Sequence, residues 1–168
     1  INTNLPELLQ IATRDVRCLG EDNGSVNILE VQGGIAPYAM VLNGNPQTNS
    51  TFVGDLAPGN YTIRIIDDNN CFLDTTIVIN EGRELLTQLP AEIEVEFADS
   101  ETIYVLVSVP EEEIEEVQWI PGENLSCDTC LITEVAGAES RVYEVVVTDT
   151  AGCVSRASIR VFVRREIN

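Results

Sequence analysis

The sequence predicts an all-β chain folded as two tandem β-sandwich domains, and three observations lead there. Residues 61–71 (YTIRIIDDNNC) return as residues 143–153 (YEVVVTDTAGC), with Tyr, Asp and Cys at matching places and each displaced by 82 residues. An offset of that size marks two modules built on one plan. Short apolar runs of period two are separated by Gly, Pro and Asn turns, which is the pattern of a sandwich. A chain of 168 residues admits one domain or two small ones. The offset decides for two, at 1–82 and 83–168, joined near residues 81–89. Cores of this size are marginal, so a covalent staple would help each one.

In the first module, residues 1–10 read as a linker and residues 11–18 as the opening strand. A GEDNG turn at 20–24 leads to a strand at 25–31. A QGGIAP turn at 32–37 leads to a strand at 38–42, and NGNP at 43–46 turns the chain again. Residues 51–53 form an edge strand and 55–60 a corner. The strand from Tyr61 to Ile66 then turns through DDNN into a closing strand at 72–79.

In the second module, strands are expected at 93–97, 102–109, 131–135, 141–148 and 154–163. Residues 110–116 (PEEEIEE) offer Pro and acids suited to a single helical turn, before a strand that holds Val117 and Trp119. Trp119 precedes Tyr143 by nearly the spacing that separates Tyr38 from Tyr61. Both aromatics are therefore expected at one core position, and most of the other aromatics are expected to be buried too.

Net charge is −19, with no Lys and no His. Such a surface repels phosphate and excludes nucleic-acid partners. No run of residues is long and apolar enough to span a membrane, so no membrane insertion is expected. The second half is the more acidic, with 17 of the 28 acids in residues 85–168. These acids are read as solvated faces, with weak calcium capture as the sharper alternative. The Asp67-Asp68-Asn69-Asn70 tip and the five acids of residues 111–116 are read in the same way. Without His there is no Ser–His or Cys–His pair, and no phosphate-cradling Gly loop follows a strand. The chain is expected not to be an enzyme and to need no cofactor.

Several motifs in 11–82 resemble the SprB-type repeat of Bacteroidetes surface adhesins. They are Cys18-Leu-Gly, Gly24-Ser-Val, Gly33-Gly34-Ile-Ala-Pro37-Tyr38, Leu56-Ala-Pro-Gly59-Asn-Tyr61 and Asp67-Asp-Asn-Asn-Cys71. Asn70 stands where that pattern has Gly, a departure expected to alter only the turn. The second module resembles the PKD-like, Ig-type modules of gliding-motility-associated, type 9 secreted proteins. Its matching residues are Trp119-Ile-Pro121, Leu125-Ser-Cys127-Asp-Thr-Cys130, Tyr143 and Asp149-Thr-Ala-Gly152-Cys153. The resemblance implies Ig-like/PKD-like sandwiches within a large exported protein at the outer cell surface, used in adhesion or gliding. The likeness of INTNLPELL to INEGRELL, and the final Glu166-Ile167-Asn168, suggests that both ends fall at module borders and that further modules flank them.

The resemblance and an oxidising compartment together imply a Cys18–Cys71 disulfide. For Cys127-Asp-Thr-Cys130, zinc lacks ligands and a redox pair lacks its helix, so a short structural disulfide is favoured. Cys153 is then expected to be a free thiol, since sandwich topology sets its hairpin and the CxxC loop at opposite ends. The expected role is a non-catalytic structural segment, a stalk or spacer of an extracellular multi-domain adhesin or filament. Its partners would be neighbouring modules, with other cell-surface proteins or polysaccharide as further candidates. The rival is a module that binds a glycan or surface polymer, assisted by calcium. That reading requires an exposed aromatic platform or convergent acids.

Overall fold

The structure is a computed structural model that describes residues 5–48 and 51–165. The junction reading built on residues 1–4 and 166–168 lies outside the described residues. The chain divides into two compact units, Ile1–Arg83 and Glu84–Asn168, one residue later than the sequence suggested.

The first unit has seven strands: β1 (Glu7–Arg14), β2 (Gly24–Gln32), β3 (Ala39–Leu42), β4 (Asn45–Pro46), β5 (Phe52–Leu56), β6 (Gly59–Ile66) and β7 (Phe72–Ile79). They form two sheets, β1-β2-β5 and β4-β3-β6-β7. Period-two alternation places Val26 and Ile28 of β2, Met40 and Leu42 of β3, and Ile63 and Ile65 of β6 in one buried cluster between the sheets. The opening strand differs from expectation. β1 starts at Glu7 and ends at Arg14, and the chain after it runs beside the end of β7. There Val16 N–H donates to Asn80 O at 3.2 Å, and Cys18 forms a parallel bridge with Arg83. Asp15 fixes this crossing by accepting from Asn80 N–H and Nδ2 at 2.9 and 3.0 Å. The Asn80 backbone N–H accordingly holds the Asp15 carboxyl below its usual range.

The second unit has β8 (Thr87–Gln88), β9 (Glu92–Glu96), β10 (Ser100–Tyr104), β11 (Leu106–Val107), a 3-10 turn at Glu111–Glu113, β12 (Ile114–Ile120), β13 (Ile132–Ala136), β14 (Arg141–Asp149) and β15 (Val154–Arg164). One sheet runs β12-β14-β15-β9. Facing strands pair as β10-β13 and β11-β8. The β15–β9 pairing is parallel. The single helical turn forms where the Pro and acids placed it. The long strand expected over 102–109 is interrupted at Val105, which is buried and donates to Leu131 O at 2.8 Å. Part of the expected linker is structural, because Thr87 and Gln88 pair with Val107 and Leu106.

Both units are Ig-like β-sandwiches. In each, a hairpin (β6–β7 or β14–β15) is flanked in its sheet by an earlier strand (β3 or β12), with the remaining strands paired separately from it. The registers of the two hairpins coincide at the 82-residue offset. Tyr61 faces Ile77 and Tyr143 faces Ile159, while Ile63 faces Thr75 and Val145 faces Ala157. The proposed match of Tyr38 with Trp119 fails on the same register. Trp119 lies opposite Val145, whose counterpart Ile63 lies opposite Leu42. Leu42 therefore holds the place of Trp119, and Tyr38 sits just before β3. Near-equal spacing misled because the turns between these strands differ in length.

Candidate functional site

The repeated motif builds the same device twice. At the end of β6, Asp67 Oδ1 accepts from Asn69 N–H at 3.0 Å and from Cys71 N–H at 2.8 Å. At the end of β14, Asp149 Oδ1 accepts from Ala151 N–H and Cys153 N–H, both at 2.9 Å. The backbone closes each hairpin alike, with Asp67 N–H to Cys71 O at 2.9 Å and Asp149 N–H to Cys153 O at 3.0 Å. Both turns need a left-handed residue third after the Asp. Asn70 (φ 61) and Gly152 (φ 83) supply it. Asn is one of the few non-glycine residues that visit this region readily, so it takes the place of Gly at residue 70.

Asp68, Asn69 and Asn70 form the solvated tip the sequence suggested, but the carboxylates that lock the two hairpins are enclosed: Asp67 is 4% exposed and Asp149 is 0% exposed. Asp67 also accepts from Ile35 N–H at 3.1 Å through Oδ2, which ties the QGG loop to the hairpin. Gly34 is required there, because its φ is 66 and an added Cβ would sit 3.1 Å from Asp67 Oδ2. The signal for this role was in the sequence: an Asp six residues after Tyr and four before Cys, in both copies. In each copy Oδ1 accepts from the backbone of its own hairpin, the local bonding that favours Asp in turns. Among the described residues, no group of three or more His, Cys, Asp or Glu could hold a metal ion.

The tyrosines that open these strands anchor loops. Tyr61 donates to Ala57 O at 2.8 Å, four residues upstream, a tyrosine corner. Tyr143 donates to Glu123 O at 3.0 Å. Burial pushes the Tyr143 phenol up from its ordinary pKa.

The cysteines differ from expectation in two places. Cys127 and Cys130 form the short disulfide anticipated, with Cα atoms 5.6 Å apart. Its loop caps Trp119, whose indole N–H donates to Cys130 O at 2.9 Å and whose backbone N–H donates to Asp128 O at 2.8 Å. The Cys18–Cys71 bridge is not formed, and Cys71 is a free thiol. Cys18 lies beside Arg83, past the far end of β7, whereas Cys71 immediately precedes β7. Eight extended residues span roughly 26 Å, far beyond disulfide reach. Cys153 is not a free thiol either: it is buried and, like Cys18, disulfide-bonded. Alkylation in denaturant without reductant should therefore mark one thiol, on the peptide carrying Cys71. Label on the Cys153 peptide would contradict this assignment.

The aromatics also correct the sequence reading. All four Phe (Phe52, Phe72, Phe97 and Phe162) are exposed, together with Tyr104. Arginines cover three of them: Arg64 lies 4.1 Å from the Phe72 ring centroid, Arg165 4.6 Å from that of Phe97 and Arg160 5.6 Å from that of Phe162. These guanidiniums occupy the ring faces that a sugar would need. Arg64 also forks onto Asp74 with two contacts of 2.7 Å, which hold the Asp74 carboxyl below its usual range.

A concavity of about 750 Å³ lies within the second unit. Sheet edge β12 forms one wall, with Glu115, Glu116 and Val117. Tyr104, Leu106 and Ile132 line the other side and are 59%, 64% and 59% exposed. Glu111 joins the rim, and no basic residue lines the groove.

No protein-family model matches the chain, and no curated protein sequence does. Among solved structures it is similar to the N-terminal eight Ig domains of the Down syndrome cell adhesion molecule, with 13% identity and a TM-score of 0.43, covering 96% of this chain and 25% of that one. The insect immune protein hemolin shows 12% identity and a TM-score of 0.38, over 96% of this chain and 48% of that chain. The human desmocollin-1 ectodomain shows 11% identity and a TM-score of 0.37, over 93% and 35%. The chain thus spans a quarter to a half of the length of these proteins. The assignment to Ig-like sandwiches rests on the strand order given above. No helix among the described residues is long and apolar enough to cross a membrane.

Proposed function

We propose that this chain is a non-catalytic structural segment of an extracellular, multi-domain surface adhesin, in which it serves as a spacer that displays more distal parts. The observation that carries the reading is the reuse of one Asp-locked hairpin, at one register, in two compact units. Disulfide-bonded cysteines favour an exported setting. The likeness to SprB-type repeats and PKD-like modules favours a role in adhesion or gliding by a type 9 secreted protein. The acidic surface would keep neighbouring copies apart.

A replacement experiment tests the reading. An unrelated pair of sandwiches of equal length, exchanged for this segment in its parent protein, should leave adhesion intact, and deletion without replacement should impair it. Loss of adhesion on like-for-length exchange would show that this segment itself recognises something. A melt in calcium and in chelator accompanies it, and the spacer role predicts the same midpoint in both.

A further inference from the structure

We propose that the groove beside β12 is a docking site for an extended, cationic segment of another polypeptide, which adds as a strand to the open edge of the β12-β14-β15-β9 sheet. This goes beyond the spacer role and holds or fails independently of it. β12 is the terminal strand of its sheet. From Glu116 to Ile120 it pairs with β14 in unbroken register. Trp119 N–H points away from β14, to Asp128 O. In a regular antiparallel strand, a residue two positions away turns its backbone groups to the same side, so Val117 presents its N–H and C=O to the groove. An extended peptide could satisfy them, as in strand addition to other sheet edges.

The side chains around that edge define the occupant. Tyr104 and Ile132 are direct cross-strand neighbours, and Leu106 follows two residues after Tyr104. Together they form an exposed apolar floor for alternate side chains of a strand. Glu111, Glu115 and Glu116 form the rim without a basic residue among them. Lys or Arg at the intervening positions of the guest would meet these carboxylates. A second copy of this chain is a poor guest, because its net charge is −19.

The test uses the whole chain and a fluorescent peptide that alternates Lys and Val over about six residues. Anisotropy should show saturable binding. Leu106→Asp and the double change Glu115→Arg with Glu116→Arg should each weaken it roughly tenfold, while the thermal midpoint stays unchanged. Peptides N-methylated at every second residue, in the two alternate phases, should differ, and the phase that blocks the edge-facing N–H groups should lose binding. Three results would overturn the assignment: no saturation, equal binding by the Leu106→Asp protein, or equal binding by both methylated phases. Saturable binding of cellohexaose that is lost with Leu106→Asp would assign the groove to a glycan instead.

Discussion

Replacing Asp149 by Ala should lower the stability of the second unit by about 2–4 kcal/mol, because one buried and one part-buried N–H group lose the carboxylate that accepts from them and each orphan costs about 1–3 kcal/mol. The donors are those of Ala151 and Cys153, and Asp149 itself is fully enclosed. Solvent cannot replace the lost acceptor without opening the hairpin. For a unit of this size the thermal midpoint should fall by roughly 10–25 °C. Asp149→Asn should be milder, since an amide oxygen can still accept both bonds. The neighbouring Thr150 is exposed, and Thr150→Ala should change stability by less than about 0.5 kcal/mol. Asp67→Ala should reproduce the loss in the first unit and also release Ile35. Urea or thermal unfolding followed by circular dichroism reads all four variants. If Asp149→Ala matched Thr150→Ala, the carboxylate would have no structural role.

Trp119→Ala should cost about 3–5 kcal/mol, the range for removing a large buried aromatic. Trp119 is buried on β12 opposite Val145 and lies under the loop closed by Cys127 and Cys130. Its removal leaves a cavity, and the Cys130 carbonyl loses a donor. Trp119→Phe separates the two effects, because it keeps most of the apolar contact while losing the hydrogen bond, at about 1 kcal/mol. Equal losses in Phe and Ala variants would mean that the indole N–H, rather than packing, dominates. Because Trp119 is the single Trp of the chain, a red shift of its emission during unfolding marks release of this region in the unmodified protein.

The parts of the fold that were legible beforehand are those fixed by local chemistry. Alternation in residues 61–66 and 143–148 has no competing helical period, and the Tyr–Asp–Cys spacing pins both turns. The parts that were not legible depend on contacts distant in sequence. Nothing in residues 11–18 announces that β1 stops at Arg14 so that residues 15–18 can lie along the end of β7. The state of Cys71 was missed for the same reason, since its distance from Cys18 follows from that crossing. The exposed phenylalanines look like core residues in the sequence, because the arginines that cover Phe72 and Phe162 come from ordinary strand positions. The groove was half visible: the acids of residues 111–116 stood out, but the apolar floor from β10 and β13 becomes one surface only when those strands pair.

The parallel pairing of β9 with β15 has a mechanical corollary. These strands lie near the start and the end of the second unit, and five residue pairs from Glu92–Arg160 to Glu96–Arg164 hold them together. A pull on the entering chain and an opposite pull on the leaving chain would slide one strand along the other. All the rungs between them would then be loaded in shear at once, whereas a hairpin pulled open at its mouth peels one rung at a time. The crossing of residues 15–18 with the end of β7, tied by Asp15 and Asn80, gives the first unit a smaller clasp of the same sense.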